Sequence, residues 1–214
     1  MLNPGSKIPS FKFHVPSFKN IRTQAIILKK NDVGEYDQLV TCYTRDFGKL
    51  RVLTKGYHKP QSKIRGHLDE LDLVDCLLIP GKYRQHIRST IAISKFSSLS
   101  KNPNIFNYAL IASELYDKGL LEYEQDSSLW ELINSYLTQL QKLTLNRTNN
   151  GEERLLSRFL LRFSEINGHP INDLIKDKNL NPYLLNDYLK KEHDINLNSL
   201  SFINSLSYNR NYKT

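Results

Sequence analysis

The residues with the clearest chemical potential are basic, and they crowd into one stretch, GKLRVLTKGYHKPQSKIRG, at positions 48–66. No aspartate or glutamate interrupts them, and a strand-like first part gives way to a loop rich in proline, serine and glycine. Positive charge at this density favours a polyanion, because each phosphate that it neutralises releases condensed counterions. The basic residues of the stretch are Lys49, Arg51, Lys55, Lys59, Lys63 and Arg65.

Alternation along the strand-like part predicts its two faces: Arg51, Leu53 and Lys55 on one, and Leu50, Val52 and Thr54 on the other. Tyr57 follows as a candidate platform on which a base could stack. We interpret the segment as charge that follows a nucleic-acid backbone and then a clamping loop. The competing interpretation is a charged strand edge that only prevents aggregation.

A second alternating run, YRQHIRSTIAIS at positions 83–94, adds further basic side chains. Its isoleucines, Ile87, Ile91 and Ile93, share one parity with Tyr83 and are expected to face a core. The opposite face carries Arg84, His86 and Arg88. We include Arg84 and Arg88, together with Lys29 from an earlier run, among the candidate nucleic-acid-binding residues.

Catalytic signatures are absent from the sequence. The six histidines (14, 58, 67, 86, 169 and 193) are scattered, no C-x-x-C or H-E-x-x-H spacing occurs, and no glycine-rich phosphate loop follows a strand. The acidic group Asp32, Glu35 and Asp37 fits a polar loop with a glycine. We therefore predict no enzyme, no cofactor and no metal. The two cysteines, Cys42 and Cys76, lie in apolar runs and are expected to be buried thiols rather than a disulfide.

Charge is distributed unevenly over the 214 residues, whose net charge is +8. Positions 1–100 hold 17 Lys/Arg and 8 Asp/Glu, whereas positions 101–214 hold 13 and 14. This asymmetry favours nucleic acid or an anionic membrane surface as the partner of the first half, although charge kept for solubility is the simpler alternative. Because no run of eighteen apolar residues and no secretory h-region occurs, we expect an intracellular, cytoplasmic protein without a membrane partner.

Hydrophobic periodicity predicts an α+β protein with three parts. Prolines at 4, 9 and 16 and the repeated PSFK indicate a basic, extended arm over residues 1–20. Five short strand-like runs between turns favour an OB-type β-barrel over residues 21–98. From residue 99 to 214 the period becomes helical, and asparagine and serine dilute the apolar residues of a weakly ordered C-terminal tail.

Within the helical part, the sequence predicts the start of one helix, the position of another and a basic stripe on a third. Ser128 and Glu131 have the spacing of a capping box, and a further helix is predicted over residues 182–191. Arg154, Arg158 and Arg162 recur every four residues beside an apolar helix face, which makes a basic stripe. An ordinary solvated helix face would look the same.

The stretch from Ala25 to Gly81 resembles the N-terminal OB domain of the bacterial RecO family of recombination mediators. The shared pattern is a G-E-x-D element, a T-x-x-x-G-K turn, a K-G strand end and a K-P-x-S-x-x-x-G loop, in that order. The resemblance covers residues 21 to about 98, and LLRFSEINGHP is similar to a helix of the family's helical core. The matching residues are Gly34, Glu35, Asp37, Thr44, Gly48, Lys49, Lys55, Gly56, Lys59, Pro60, Ser62 and Gly66.

This resemblance implies a non-catalytic, nucleoid-associated protein that binds single- and double-stranded DNA and anneals complementary strands. It implies work in a RecF-type pathway with RecR and the single-strand-binding protein SSB, and indirectly with the recombinase RecA. SSB has an acidic tail, for which the stripe of Arg154, Arg158 and Arg162 is a candidate dock. Many members carry a four-cysteine zinc site, but INDLIKDKNLNPYLL has no cysteine, so no zinc is expected. The alternatives are an OB-fold RNA-binding or ribosome-associated factor and a protein-interaction scaffold.

Overall fold

The computed structural model describes residues 19–145, 151–168, 188–191 and 194–200. Almost all of the expected N-terminal arm, most of the predicted helix over 182–191 and the C-terminal tail beyond residue 200 lie outside the described residues. Within the described ranges, the strands come first and the α-helices come after them, in the order that the sequence predicts.

Five strands form the N-terminal half of the described chain. β1 is long enough to serve two neighbours: its first half pairs with β4, its second half pairs with β2, and a register shift between Ile27 and Lys29 bends it. A parallel contact between Leu53 and His86 joins β3 to β5, which closes a barrel of order β1-β2-β3-β5-β4. The strands are β1 (Ile21–Val33), β2 (Asp37–Thr44), β3 (Gly48–Thr54), β4 (Leu73–Ile79) and β5 (His86–Ser94). The predicted OB-type barrel is confirmed.

The barrel core is built by the alternation that the sequence indicates. On β3, Leu50 and Val52 are buried and Arg51 is exposed, as predicted. Cys42 and Cys76 are both buried free thiols in the same apolar cluster, which confirms the interpretation made from their apolar surroundings. Burial raises the pKa of Cys76 to about 12, so the thiol stays protonated.

The face predicted for β5 is wrong beyond its second residue. Ile87 is buried, but Ile91 and Ile93 are 59% and 47% exposed. The reason is a bulge: Ile87 lies opposite Leu78 and Ser89 opposite Leu77, so Arg88 is an extra residue that reverses the parity of the strand. Thr90 is therefore buried in place of Ile91.

In the part of the chain that the structure describes, three α-helices of three turns or more follow the barrel: α1 (Pro103–Gly119), α2 (Ser127–Leu145) and α3 (Gly151–Ile166). Proline stands at the start of α1, where its missing N–H removes no helical hydrogen bond. The expected capping box on Ser128 is wrong. The carboxylate of Asp126 instead accepts hydrogen bonds from the backbone N–H groups of Ser128 and Leu129, at 2.6 and 3.1 Å.

The helices pack on one another and on one side of the barrel. Tyr116 of α1 meets Tyr43 of β2 edge to face, with ring centroids 5.1 Å apart. Ser113 of the same helix donates a hydrogen bond to the carbonyl of Leu28 in β1. Helices and barrel therefore share an interface that contains aromatic and hydrogen-bonded contacts, and only the rest of the barrel is open to solvent.

Residues 194–200 are fastened to α1. The Glu114 carboxylate accepts hydrogen bonds from the backbone N–H groups of Asn198 and Ser199 and from the Ser199 hydroxyl, at 2.6–3.0 Å. Lys118 donates both to Glu114 and to the carbonyl of Asn196. Leu197 and Leu200 are buried in the helical core, so this short segment contributes to that core.

Candidate nucleic-acid interface

The basic residues of β3 share a face but not an environment. Lys49, at the start of the strand, is only 3% exposed, and its ammonium donates a hydrogen bond to the carbonyl of Asp117, 2.6 Å away. Desolvation lowers the pKa of Lys49 below its usual range. Because the helical half covers this end of the strand, Lys49 has no access to a phosphate and we leave it out of the candidate interface.

Arg51 lies one step further along the same face and is exposed. Its Nε atom is 3.2 Å from a carboxylate oxygen of Glu122, in the segment that leads from α1 to α2. A phosphate would have to compete with that carboxylate. Arg51 is therefore a weaker candidate than sequence alone indicates.

Lys55 directly follows β3 and is exposed, with no acidic partner among the described residues. The connecting segment after it is anchored by Lys30, whose ammonium donates to the Leu68 carbonyl at 2.9 Å and to the Tyr57 hydroxyl at 3.2 Å. Tyr57 is 5% exposed because its ring packs into the barrel core. Its ring face is thus inaccessible as the stacking platform that the sequence predicted.

An exposed aromatic ring does stand close by. Tyr36, in the β1–β2 turn, is 44% exposed, and the ammonium of Lys59 lies 5.7 Å from the centre of its ring. Next to this pair, His58 Nε2 is 2.7 Å from Asp32 Oδ1, which ties the basic loop to the end of β1. The hydrogen bond from His58 lowers the pKa of Asp32. Sequence reasoning missed Tyr36, although an aromatic residue in a turn opposite basic residues is a usable signal.

The other candidate residues are exposed but lie apart. Lys63 and Arg65 stand on the connecting segment, Lys29 on β1, and Arg84 before β5. Arg88, the extra residue of the β5 bulge, lines a cleft together with Lys55. Lys82 lines the same cleft and was not singled out from the sequence, although it directly follows the Pro-Gly turn that ends β4.

The arginine stripe on α3 has the predicted geometry. Arg154, Arg158 and Arg162 are all exposed. Arg158 lines a hollow of about 140 Å³ between α2 and α3, whereas Arg162 forms an ion pair with Glu165 at 2.9 Å. Of the three arginines of the stripe, Arg158 is therefore the one that lies beside apolar surface and lacks an ion-pair partner among the described residues.

Two other kinds of feature do not occur in the described residues. No group of three or more His, Cys, Asp or Glu side chains is placed there to hold a metal ion. None of the helices in the described ranges combines the length and apolar character that crossing a bilayer would require.

A comparison with protein families matches residues 18–95 to the family described as "Recombination protein O N terminal". Over this range the chain is similar to the RecO family. The matched range contains all five barrel strands and every basic residue of the candidate interface from Lys29 to Arg88. The stripe on α3 lies outside it.

Curated relatives agree with this RecO assignment. A protein named "DNA repair protein RecO" from Acaryochloris marina is 30% identical over 127 residues, which cover 59% of this chain and 43% of the relative. The proteins of the same name from Heliobacterium modesticaldum and Trichodesmium erythraeum are 33% and 30% identical, over 97 and 146 residues. These alignments cover 45% and 68% of this chain and 36% and 49% of the relatives. The chain thus spans about half the length, or less, of these relatives.

Proposed function

We propose that this protein is a non-catalytic DNA-binding and strand-annealing mediator of recombinational DNA repair, acting in the cytoplasm on the nucleoid. The observation that carries the proposal is a set of exposed basic side chains on an OB-type barrel that have no ion-pair partner among the described residues, within the range matched to the RecO family. The names of the curated relatives support the DNA repair role.

The proposed mechanism is electrostatic. Two complementary strands repel each other through their phosphates, and basic side chains such as Lys55, Lys59 and Lys63 lower that repulsion by neutralising some of them. Tyr36, exposed beside Lys59, adds an aromatic face on which a base can stack without engaging its pairing edge. Strands held in this way remain free to pair with each other.

Partner proteins form the second part of the proposal. The acidic tail of SSB would meet Arg158 beside the hollow between α2 and α3, with Arg154 one turn earlier on the same helix, because a charge-assisted hydrogen bond and apolar contact can occur together there. RecR would act with the protein on DNA, and RecA would be loaded as the result.

The test is binding and annealing of fluorescent complementary oligonucleotides across a salt series. The variant Lys55→Glu, Lys59→Glu, Lys63→Glu is compared with a control that changes the charge equally in the helical half, Lys101→Glu, Lys142→Glu, Lys190→Glu. All six lysines are exposed. For single strands the loss of three phosphate contacts should flatten the slope of log affinity against log salt by about 2 units.

We expect the flattened slope and the loss of annealing in the barrel variant only. Equal effects of both variants would mean that net charge, and not this surface, governs binding. Absence of annealing by the parent protein would favour a scaffold. Tighter binding to RNA than to DNA of the same sequence would favour an RNA-binding factor, since the 2′-hydroxyl distinguishes the two.

A further inference from the structure

A cleft of about 320 Å³ opens at the end of the barrel where β4 runs into β5. It lies between two connections, the segment that follows β3 and the loop that precedes β5, so both contribute walls. Its size is near the lower end of the range of about 300–1,000 Å³ that small-molecule pockets occupy. One nucleotide fits such a volume, whereas a base-paired duplex does not.

One side of the cleft is apolar. Ile64 contributes from the first connection, Ile79 and Pro80 from the end of β4, and Ile87 from β5. Contact between this apolar wall and the flat face of an aromatic ring is favourable, because it removes apolar area of both from water. A nucleobase inside a duplex is stacked on both faces, so it can place a face against such a wall only after it leaves the stack.

The rest of the cleft is cationic. Lys55, Lys82 and Arg88 line it, and no acidic side chain does so among the described residues. Lys55 and Arg88 have no ion-pair partner in the described part of the chain, and Lys82 lies over the ring of Tyr83 at 5.1 Å. The phosphate on the sugar of the same nucleotide would meet three positive charges. The guanidinium of Arg88 can bind a phosphate through two parallel hydrogen bonds.

A polar atom in the wall also lacks a partner. His86 lines the cleft, and its Nδ1 atom is buried without a hydrogen bond in the described structure. Burial, together with the charge of Lys55, lowers the pKa of His86, so the imidazole is neutral near pH 7. The ring therefore adds no charge to the cleft, whose positive charge comes from the two lysines and the arginine.

We propose that this cleft binds a single unpaired nucleotide of a DNA strand, with the base against the isoleucine wall and its phosphate on Lys55, Lys82 and Arg88. The inference rests on the proposed DNA-binding function and adds a preference for unpaired bases to it. A strand with at least one unpaired base gains a contact that a perfect duplex lacks. The cleft thus favours single strands, gaps and fraying ends.

The experiment follows backbone amide signals of Gly81, Lys82 and Arg88 by NMR while the ¹⁵N-labelled full chain is titrated. The probe is a 5′-phosphorylated thymidine trinucleotide. Three comparison probes are the same trinucleotide with an abasic central position, inorganic phosphate and a blunt duplex hairpin closed by a non-nucleotide linker, so that every base in it is paired. We expect saturable shifts with the trinucleotide and binding about tenfold weaker without the central base, the size of one stacking contact.

A variant removes the cations and keeps the wall: Lys82→Gln with Arg88→Gln. Its matched control is Lys101→Gln with Lys142→Gln, two exposed lysines of the helical half. The first should lose most of its affinity for the trinucleotide and the second should retain it. All four residues are exposed, so we expect both variants to fold. The amide spectrum of each variant checks this directly.

Several results would overturn the proposal: equal binding of the abasic probe, the same shifts with inorganic phosphate alone, equal binding of the hairpin at the same amides, or an unaffected cleft variant. A thymidine 30-mer separates this inference from the function on which it rests. If the 30-mer still binds with steep salt dependence while the trinucleotide does not shift the cleft amides, only the cleft assignment fails. If no DNA binds at all, both fail.

Discussion

A lysine lies at each end of β3, and the two lysines differ in their exposure to solvent. At the start of the strand, Lys49 is covered by the helical half and bonded to a backbone carbonyl. Just past its end, Lys55 is exposed and unpaired within the described structure. Arg51 lies between them and pairs with Glu122. Position relative to the neighbouring domain, not residue type, decides which basic group can meet a ligand.

The covered end of β3 joins the barrel to the helical half. The segment that joins α1 to α2 runs alongside the start of β3, where the N–H of Tyr123 donates to the carbonyl of Lys49 at 3.0 Å. One end of the strand thus holds the two halves together, and the other end is free to bind. Substitutions at the first end should change stability, and substitutions at the second should change affinity.

The largest effect is expected at Gly48. Its φ is +67°, and a Cβ there would overlap the backbone carbonyl of Glu124. Gly34 is a matched control, because its φ is +64° but nothing lies within 4 Å of the position that a Cβ would take. By chemical denaturation, Gly48→Ala should lower the free energy of unfolding by about 3 kcal/mol or more, and Gly34→Ala by about 1 kcal/mol. Equal losses would mean that the joining segment does not press on the turn.

Next in size is Lys49→Ala. The substitution removes a buried hydrogen bond to a charged donor and leaves the Asp117 carbonyl without its partner. The free energy of unfolding should fall by about 2 kcal/mol, while affinity for a thymidine 30-mer stays unchanged. A loss of affinity in a stably folded variant would return Lys49 to the DNA interface.

Lys55→Ala should leave stability unchanged and weaken DNA binding, the reverse of Lys49→Ala. Stability should hold within about 0.5 kcal/mol, as is usual for an exposed side chain. The slope of log affinity against log salt should flatten by about 0.7 for single-stranded DNA, the value for one phosphate contact. An unaltered slope would move the interface away from this end of the strand.

A pH series tests the burial of Lys49 without relying on truncation. Its pKa is lowered in the folded protein, so the charged form carries a cost that is fully present below the folded pKa and vanishes above the unfolded pKa of 10.5. Relative to Lys49→Met, the parent should therefore gain stability as pH rises towards 10.5. A constant difference between the two unfolding curves would indicate that Lys49 is solvated.

The smallest effect is expected for Arg51→Gln. Its ion pair with Glu122 joins two side chains that are 46% and 35% exposed, and pairs of this kind stabilise a protein by less than about 1 kcal/mol. Both the free energy of unfolding and the affinity for DNA should change little. A marked loss of affinity would show that a phosphate displaces Glu122 and that the binding surface extends along the whole strand.

Local pattern predicted the fold well because the barrel strands obey it. Leu50 and Val52 alternate with Arg51, and the structure keeps that alternation. It failed where one residue was added: the bulge at Arg88 exposes Ile91 and Ile93, and nothing in a regular alternation announces it. At the start of α2 two capping residues compete within three positions, and the aspartate rather than the serine forms the hydrogen bonds.

The candidate site was harder to predict, because access depends on contacts between distant parts of the chain. Lys49 is buried by residues near position 117, and the hydroxyl of Tyr57 is bonded to Lys30. Lys82 becomes a candidate binding residue only in the folded protein, where it lines the same cleft as Lys55 and Arg88. Charge density in a sequence therefore indicates a basic surface, but tertiary packing selects its members.

The fastening of residues 194–200 to α1 has a consequence for synthesis of the protein. The core of the barrel draws its buried members from residues 25–87, so the barrel can close while the ribosome is still translating the helices. The helical core differs, because Leu197 and Leu200 belong to it and Glu114 bonds to the backbone of Asn198 and Ser199. A nascent chain that stalls before residue 194 would carry a finished barrel attached to an unfinished helical layer, with apolar surface exposed to chaperones and proteases.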